Sequence, residues 1–126
     1  MSYLKGRGVR PKTFPTTGQD ASLPGLQNVL AGYQCGTVYK PIWLEAEAAA
    51  AVAVYVRDGQ TPPPSLVNGT IIDSSSGKRI PSVLLSPEWV TTANMNATVI
   101  ADQFVSPSQL CVGSYADACK AAGIAG

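Results

Sequence analysis

The fold is read most directly from TTGQDASLPGLQNVLAGYQCGTVYKPI, residues 16–42, together with the few residues before it. KTFPTT (residues 12–17) is short, favours β-structure and ends in a polar turn, which predicts a first strand. SLPGLQNVLAG (residues 22–32) has a possible capping serine, leucines at helical spacing and a final glycine, which predicts a helix. CGTVY (residues 35–39) alternates in polarity and predicts a second strand.

A charged residue follows each of these strands: Asp20 follows the first and Lys40 the second. If the strands are neighbours in a parallel sheet, both residues lie at the carboxyl edge, where ligands collect in such sheets. A carboxylate accepts two hydroxyl hydrogen bonds and an ammonium donates up to three, a combination that suits a polyol. The alternative is structural: Asp20 caps a helix or holds a turn, and Lys40 is a solvated loop residue.

The rest of the chain continues the same alternation. Pro41 opens a helix that ends near Gly59, with an apolar stripe formed by Leu44, Ala48, Val52 and Tyr55. QTPPPS (residues 60–65) predicts a linker, and two strands are predicted further on, at residues 69–73 and 81–86. Helices are predicted over residues 91–100, 106–110 and 114–123. This order indicates the α/β class with a largely parallel sheet.

Composition excludes several classes of function. The chain has 126 residues, of which only 13% are charged, and its net charge of +1 argues against a nucleic-acid partner. Histidine is absent, which removes the usual general base and the commonest metal ligand. We therefore predict no metal, no cofactor and no catalytic residue. The longest apolar run, AEAAAAVAVYV, is too short to span a bilayer, and we expect no signal peptide in this segment.

Three cysteines bear on the cellular compartment. Cys111 and Cys119 flank the segment VGSYADA, so a disulfide between them is feasible and would contribute about 2–3 kcal/mol. Cys35 is then left as a free, buried thiol. The alternative is that all three cysteines are reduced and packed. A disulfide would imply an oxidising compartment, with the secretion signal supplied by sequence not present here.

Three segments together carry a family resemblance: TTGQDA, LAGYQCGTVYKPI and IPSVLLSPEWVTTANM. They resemble the C-terminal portion of the xylose-type, type I periplasmic sugar-binding proteins, the substrate-binding components of ABC sugar importers. The resemblance covers roughly residues 3–122, and the ending CVGSYADACKAAGI resembles actinobacterial members that are secreted lipoproteins. Members of the family are two to three times longer than this chain.

The resemblance implies a partial type I fold, with mostly parallel sheet elements from two Rossmann-like lobes. Residues 1–39 would belong to the second lobe, and residues 40–86 to the first lobe after a hinge crossing. Residues 87–126 would cross back and return to the second lobe.

The resemblance also implies that Asp20 and Lys40 bind sugar hydroxyls. The implied partners are a pentose or hexose, an ABC transporter permease, and the missing N-terminal lobe or a second copy of the chain. The implied location of the full-length family is extracytoplasmic, either periplasmic or as a cell-surface lipoprotein. The aromatic platform for the sugar ring has no counterpart here, and Trp43 and Trp89 are interpreted as packing residues.

Three hypotheses follow. In the first, the chain is a fragment of the substrate-binding protein of a monosaccharide importer and carries half of a binding site. In the second, it is a standalone protein-interaction module that reuses this substructure without binding sugar. In the third, it is a small enzyme with Lys40 as a Schiff-base nucleophile, which would need a desolvated lysine and an acid–base partner, for which this stretch offers only Asp20.

Overall fold

The computed structural model describes residues 1–124, which divide into two compact units. The first unit contains Met1–Lys40 and the chain from Pro87 onward, and the second unit is Pro41–Ser86. The assignment of the predicted segments 1–39, 40–86 and 87–126 to two lobes of a longer protein stays a prediction. We describe each unit by itself.

The first unit is built around a three-stranded sheet in the order β1-β2-β5. Its strands are β1 (Thr17–Gln19), β2 (Gly36–Tyr39) and β5 (Glu88–Val90). Its helices are α1 (Ser2–Gly6), α2 (Leu23–Leu30), α4 (Pro107–Leu110) and α5 (Ala116–Ala121), with a π-helical turn at Asn96–Ile100 and a 3-10 turn at Gly113–Tyr115. Strands β1 and β2 are parallel because α2 carries the chain back between them, whereas β5 is antiparallel to β2.

The hydrophobic core of the described chain lies in the first unit. It is formed by the inner face of α2, the ends of β2 and β5, and side chains of the C-terminal helical segment. The largest fully buried side chains are Leu26, Val90, Met95, Val99 and Leu110. Ser22 directly precedes α2 at the N-cap position and Pro24 lies in the first turn, as the sequence predicts, although the Ser22 side chain makes no capping hydrogen bond. The helix is therefore held by packing of its apolar face more than by its cap.

The second unit contains α3 (Ile42–Arg57) and a hairpin of β3 (Gly69–Ile72) and β4 (Arg79–Ser82). Hydrogen bonds to the Asp73 side chain from Ser75 and Ser76 stabilise the hairpin turn. The Asn68 side chain links the start and the end of the hairpin, since it donates to the Leu84 carbonyl and accepts from the Leu84 amide. No residue between 41 and 86 is buried.

Several predicted elements differ from the structure. The strand predicted at residues 12–17 is wrong: β1 begins only at Thr17, because Lys12 has a left-handed backbone (φ 62°) and Pro15 lacks an N–H. The strand predicted at 81–86 lies at Arg79–Ser82, directly after the hairpin turn. The helix predicted at 91–100 is reduced to the turn at Asn96–Ile100. The patterns also missed two short elements, α1 and β5.

The prediction of a mostly parallel sheet also needs correction. Among the described residues one strand pairing is parallel, β1 with β2, and two are antiparallel. The turn between β3 and β4 is too short for a crossover, so these strands form a hairpin, which is antiparallel. The α/β character holds, but the parallel geometry is confined to the strand–helix–strand segment.

The structure pairs Cys111 with Cys119, with 5.8 Å between their Cα atoms. This pair links the end of α4 to α5, and the Cys119 side chain is buried in the core. Cys35 is a free thiol, but the expectation that it is buried is wrong, because it is exposed. It lies immediately before β2, where its amide donates to the Thr16 carbonyl and its side chain is left outside the core.

Candidate functional site

Asp20 and Lys40 meet at the carboxyl edge of the parallel pair. The register of β1 and β2 aligns Gln19 with Val38, so Asp20 leaves the sheet beside the end of β2. The Lys40 Nζ atom lies 2.6 Å from Asp20 Oδ1, and the two side chains are 38% and 65% exposed, respectively. The two charges that the sequence placed after separate strands therefore form one solvent-accessible ion pair.

The backbone that presents Asp20 is in an unusual conformation. Asp20 and Ala21 have φ values of 71° and 44°, the left-handed region that residues other than glycine rarely adopt. The buried Thr37 side chain stabilises this turn, because its Oγ1 accepts a hydrogen bond of 3.3 Å from the Ala21 amide. Such conformations cost about 1–3 kcal/mol each and cluster at functional sites, since the surrounding structure must hold them in place.

The end of β2 is tied to the C-terminal part of the first unit. The buried Tyr39 hydroxyl donates a hydrogen bond to the Asp102 carboxylate, and the Tyr39 ring packs against Phe104 with 4.9 Å between ring centroids. Burial raises the pKa of Tyr39 well above its ordinary value, and the hydrogen bond to Asp102 raises it further. The phenol is therefore a proton donor at neutral pH, and it anchors the residue that directly precedes Lys40.

Sequence reasoning found Asp20 and Lys40 but missed these supporting contacts. Tyr39 and Asp102 are 63 positions apart, so no local pattern connects them. A threonine inside a strand is common, and the contact of Thr37 with the Asp20–Ala21 turn has no signature in the sequence. The only available signal was the charged residue after each strand.

The exposed ion pair has a clear chemical consequence. A solvent-exposed pair contributes about 0.2–1 kcal/mol at most, so separating it is inexpensive. A neighbouring carboxylate and ammonium present acceptors and donors within reach of one small molecule with adjacent hydroxyl groups. Hydrogen bonds to charged groups contribute about 1.5–3 kcal/mol each, which is enough to replace the ion pair.

Trp89 does not supply an aromatic platform at this edge. Its ring lies over Gly36, where an added Cβ would approach Trp89 Cζ2 to 2.5 Å. Gly36 begins β2 and Lys40 follows its end, so the ring extends away from the ion pair. This close approach explains why a glycine is needed at residue 36, although the Trp89 side chain is also 46% exposed.

A separate cleft of about 770 Å³ lies at the opposite edge of the sheet. It is lined by residues before β1 and β2 and after β5, including Lys12, Phe14, Gln34, Cys35 and Thr92. Neither Asp20 nor Lys40 contributes to it. We place the candidate site at the ion pair, since ligands of parallel sheets collect at the carboxyl ends of strands.

Two features of the described residues bear on metal binding and membrane insertion. Within residues 1–124, no three His, Cys, Asp or Glu side chains converge in a way that would hold a metal ion. Over the same residues, no helix is both long enough and apolar enough to cross a bilayer.

Comparison with known proteins gives several sequence relatives. The D-xylose-binding periplasmic protein of Escherichia coli is 44% identical over 112 residues, which are 87% of this chain and 32% of that protein. The D-xylose-binding periplasmic protein of Haemophilus influenzae is 38% identical over 104 residues, which are 82% of this chain and 30% of that protein. No protein-family model matches the chain.

A solved structure extends the likeness to the fold. The solute-binding protein of a carbohydrate transporter from Chloroflexus aurantiacus, in complex with D-glucose, superposes with a TM-score of 0.64 and 29% identity. The match covers 74% of this chain and 26% of that one.

These proteins are binding proteins, which agrees with the prediction that the chain is not an enzyme. They give no support to the hypothesis of an interaction module without sugar binding. The chain spans about a third of the length of the relatives that it matches, 32% and 30%. In sequence and in fold, the chain is thus similar to one part of the xylose-type, type I periplasmic sugar-binding proteins.

Proposed function

We propose that Asp20 and Lys40 bind the hydroxyl groups of a monosaccharide. In this proposal the chain forms about a third of the substrate-binding component of an ABC importer for a xylose-like sugar. The observation that carries the proposal is the open ion pair at the carboxyl edge of β1 and β2, with 2.6 Å between Lys40 Nζ and Asp20 Oδ1. The left-handed backbone at Asp20 supports it, because strain of this kind is more often kept for function than for stability.

The chemistry of the pair fits adjacent sugar hydroxyls. Asp20 accepts hydrogen bonds from two hydroxyls, while Lys40 donates to the oxygen of one of them and stays within reach of a second. Sugar binding then replaces one charge–charge contact by several charge-assisted hydrogen bonds. Neither residue bonds covalently to the sugar, so the sugar is bound and released unchanged.

The proposal has consequences for partners and location. Two side chains cover one side of a sugar, so further polypeptide must supply the opposite wall of the cleft. A substrate-binding component delivers its sugar to the permease of the importer, which is therefore a proposed partner. Sugar binding and delivery to the permease both take place outside the cytoplasm in this proposal. The Cys111–Cys119 pair is consistent with an oxidising compartment.

A chimaera tests the sugar site. The 112 residues of the E. coli relative that match this chain are replaced by the corresponding residues of this chain. We expect the folded chimaera to bind D-xylose in calorimetry. Lys40→Ala should weaken binding by about 10–100-fold, the effect of losing one charge-assisted hydrogen bond, and Asp20→Ala, which removes two such bonds, should weaken it by at least as much. Asp58→Ala is the matched control, because it removes one partner of a surface ion pair outside the site, that with Arg57.

Circular dichroism establishes whether each variant is folded. A folded chimaera without affinity for D-xylose, D-glucose or D-ribose contradicts the proposal. Equal affinity in the Asp20→Ala variant and the parent contradicts the assignment of the site.

A further inference from the structure

Thr37 places a hydroxyl group inside the first unit. Within residues 1–124, Thr37 and the core residue Tyr39 are the buried residues that carry a side-chain oxygen. Burying a hydroxyl lowers the stability of a fold unless the hydroxyl is hydrogen-bonded. The partner of the Thr37 hydroxyl therefore indicates what this residue contributes.

The Thr37 side chain reaches the turn that carries Asp20. The register pairs Thr37 with Gly18 of β1. An added Cβ at Gly18 would lie 3.3 Å from Thr37 Oγ1, so the Thr37 side chain lies against β1 where that strand has no side chain. From there Thr37 Oγ1 accepts a hydrogen bond of 3.3 Å from the amide of Ala21, a fully buried residue. This bond links β2 to the residue that directly follows Asp20.

The linked turn needs such support. Asp20 and Ala21 are consecutive residues with left-handed φ values, 71° and 44°. Residues other than glycine keep this conformation only where the surrounding structure holds them in it. If the turn relaxed to an ordinary backbone conformation, the Asp20 side chain would change direction. Its Oδ1 atom would then move away from Lys40 Nζ, which lies 2.6 Å from it in the structure.

We propose that Thr37 is a positioning residue of the sugar site. Its hydroxyl holds the amide of Ala21, and thereby fixes the direction in which Asp20 presents its carboxylate. Thr37 does not touch the sugar, because it is fully buried. The inference rests on the proposed function, in which Asp20 binds sugar hydroxyls. It goes further in assigning a role to the buried hydroxyl, which acts through Asp20 and not through Lys40.

Two substitutions distinguish positioning from packing. Thr37→Val keeps the branched shape of the side chain but leaves the Ala21 amide without its acceptor. Thr37→Ser keeps the hydroxyl but removes a buried methyl group and leaves a small cavity. If Thr37 only filled the core, serine would be the more harmful change. If Thr37 positions Asp20, valine is the more harmful change for sugar binding.

The first experiment measures sugar affinity in the chimaera with the E. coli relative, by calorimetry with D-xylose. We expect Thr37→Val to weaken binding by about three- to tenfold, the effect of one neutral hydrogen bond, and Thr37→Ser by less than about twofold. Thr16→Val is the matched control, because Thr16 Oγ1 also bonds to the backbone, at 2.6 Å from the Tyr33 carbonyl oxygen, but just before β1. We expect this control to change the affinity by less than about twofold.

A double-mutant cycle tests whether Thr37 acts through Asp20. In a chimaera that already carries Asp20→Ala, Thr37→Val should change the affinity by less than about twofold, because the group that it positions is gone. In a chimaera that carries Lys40→Ala, Thr37→Val should retain its full effect. A general loss of packing would lower the affinity equally in the two backgrounds. Circular dichroism establishes that each variant is folded.

The second experiment needs no sugar. NMR on the full chain measures the hydrogen-exchange rate of the Ala21 amide and the carbon-13 shifts of Asp20, which report on its backbone conformation. We expect Thr37→Val to raise the exchange rate at least about tenfold, because the amide loses its acceptor, and to shift the Asp20 carbons. Thr37→Ser should resemble the parent in both measurements.

The outcomes separate this inference from the proposed function. Unchanged Ala21 exchange and unchanged Asp20 shifts in Thr37→Val would overturn the positioning role whether or not the chimaera binds sugar. Equal affinity in Thr37→Val and the parent, a larger loss in Thr37→Ser, or equal effects in the two backgrounds would overturn it as well. In each of these cases, D-xylose binding that still depends on Asp20 leaves the proposed function standing. A folded chimaera that binds no sugar contradicts the proposed function, and the inference falls with it.

Discussion

At the scale of single residues, the candidate site combines an ion pair that adds little stability with a backbone conformation that lowers the stability of the fold. The ion pair of Asp20 and Lys40 is exposed and adds little stability, whereas the left-handed conformations of Asp20 and Ala21 oppose folding. Thr37 and the Tyr39–Asp102 hydrogen bond hold the two strand ends in place. The local structure is thus arranged to orient two charges, with stability supplied by the core beneath them.

A second carboxylate is held for a structural purpose. Hydrogen bonds from Ser76 and Ser75 lower the pKa of Asp73 from 3.8 to about 2. The ionised form is the one that accepts these bonds, so the turn between β3 and β4 depends on it. Because the folded pKa lies below the unfolded one, this contribution is fully present above pH 3.8 and is lost as the pH falls towards about 2.

We therefore predict that the Asp73 carboxyl titrates near pH 2 in the folded chain. Carbon-13 NMR of the carboxyl group over an acid titration measures this directly. Ser76→Ala removes the largest cause of the shift and should move the pKa of Asp73 upward. A Ser76→Ala variant with an unchanged Asp73 titration would show that the Ser76 hydrogen bond does not set this pKa.

At the scale of elements, short segments are held by specific links more than by their own length. Helix α4 has four residues and begins with a capping box, in which the Ser106 side chain accepts from the Gln109 amide and the Gln109 side chain accepts from the Ser106 amide. Helix α5 has six residues and is joined to the end of α4 through Cys111 and Cys119. Helices this short are unstable alone, so the caps and the covalent link matter here.

We predict that Cys111 and Cys119 form a disulfide in protein purified from an oxidising compartment, while Cys35 stays free. Alkylation without reductant, followed by mass spectrometry, should label Cys35 alone, since it is exposed and the other two are paired. Replacing both paired cysteines by serine should lower the free energy of unfolding by about 2–3 kcal/mol, the value for a loop of this size. Three labelled cysteines would contradict the pairing.

At the scale of the whole molecule, stability and exposed surface are distributed unevenly. The buried hydrophobic residues belong to the first unit, whereas none of residues 41–86 in the second unit is buried. A sugar-binding cleft gains affinity by surrounding its ligand and excluding water, which an exposed edge of one sheet does not do. In the proposed function, Asp20 and Lys40 contact one side of the sugar from an exposed edge of the sheet.

We accordingly predict that this chain alone binds D-xylose, D-glucose and D-ribose no more tightly than the millimolar range. Two charged contacts without a ring platform leave little free energy after the entropy cost of association. Isothermal titration calorimetry on the purified chain measures the constant. A micromolar constant would mean that the chain completes a binding site by itself.

Much of the local structure could be predicted from the sequence. Leucines at helical spacing and the flanking Pro24 and Gly32 located α2, and the alternation in CGTVY located β2. Prediction from local propensity failed where the backbone changes direction within a segment and where a strand depends on a partner distant in sequence. Lys12 interrupts the strand expected at 12–17, and β5 exists because it pairs with β2, about fifty positions earlier in the chain.

The sequence by itself determined the strand–helix–strand order, the long helix α3 and a charged residue after each of the first two strands. These features follow from periodicity, glycine and proline, which act over a few residues. Only the tertiary structure decided that Lys40 Nζ lies 2.6 Å from Asp20 Oδ1, that Asp20 is left-handed and that Tyr39 bonds to Asp102. Each of these depends on strand register or on a partner distant in sequence, and such contacts form only when the core brings separate segments together.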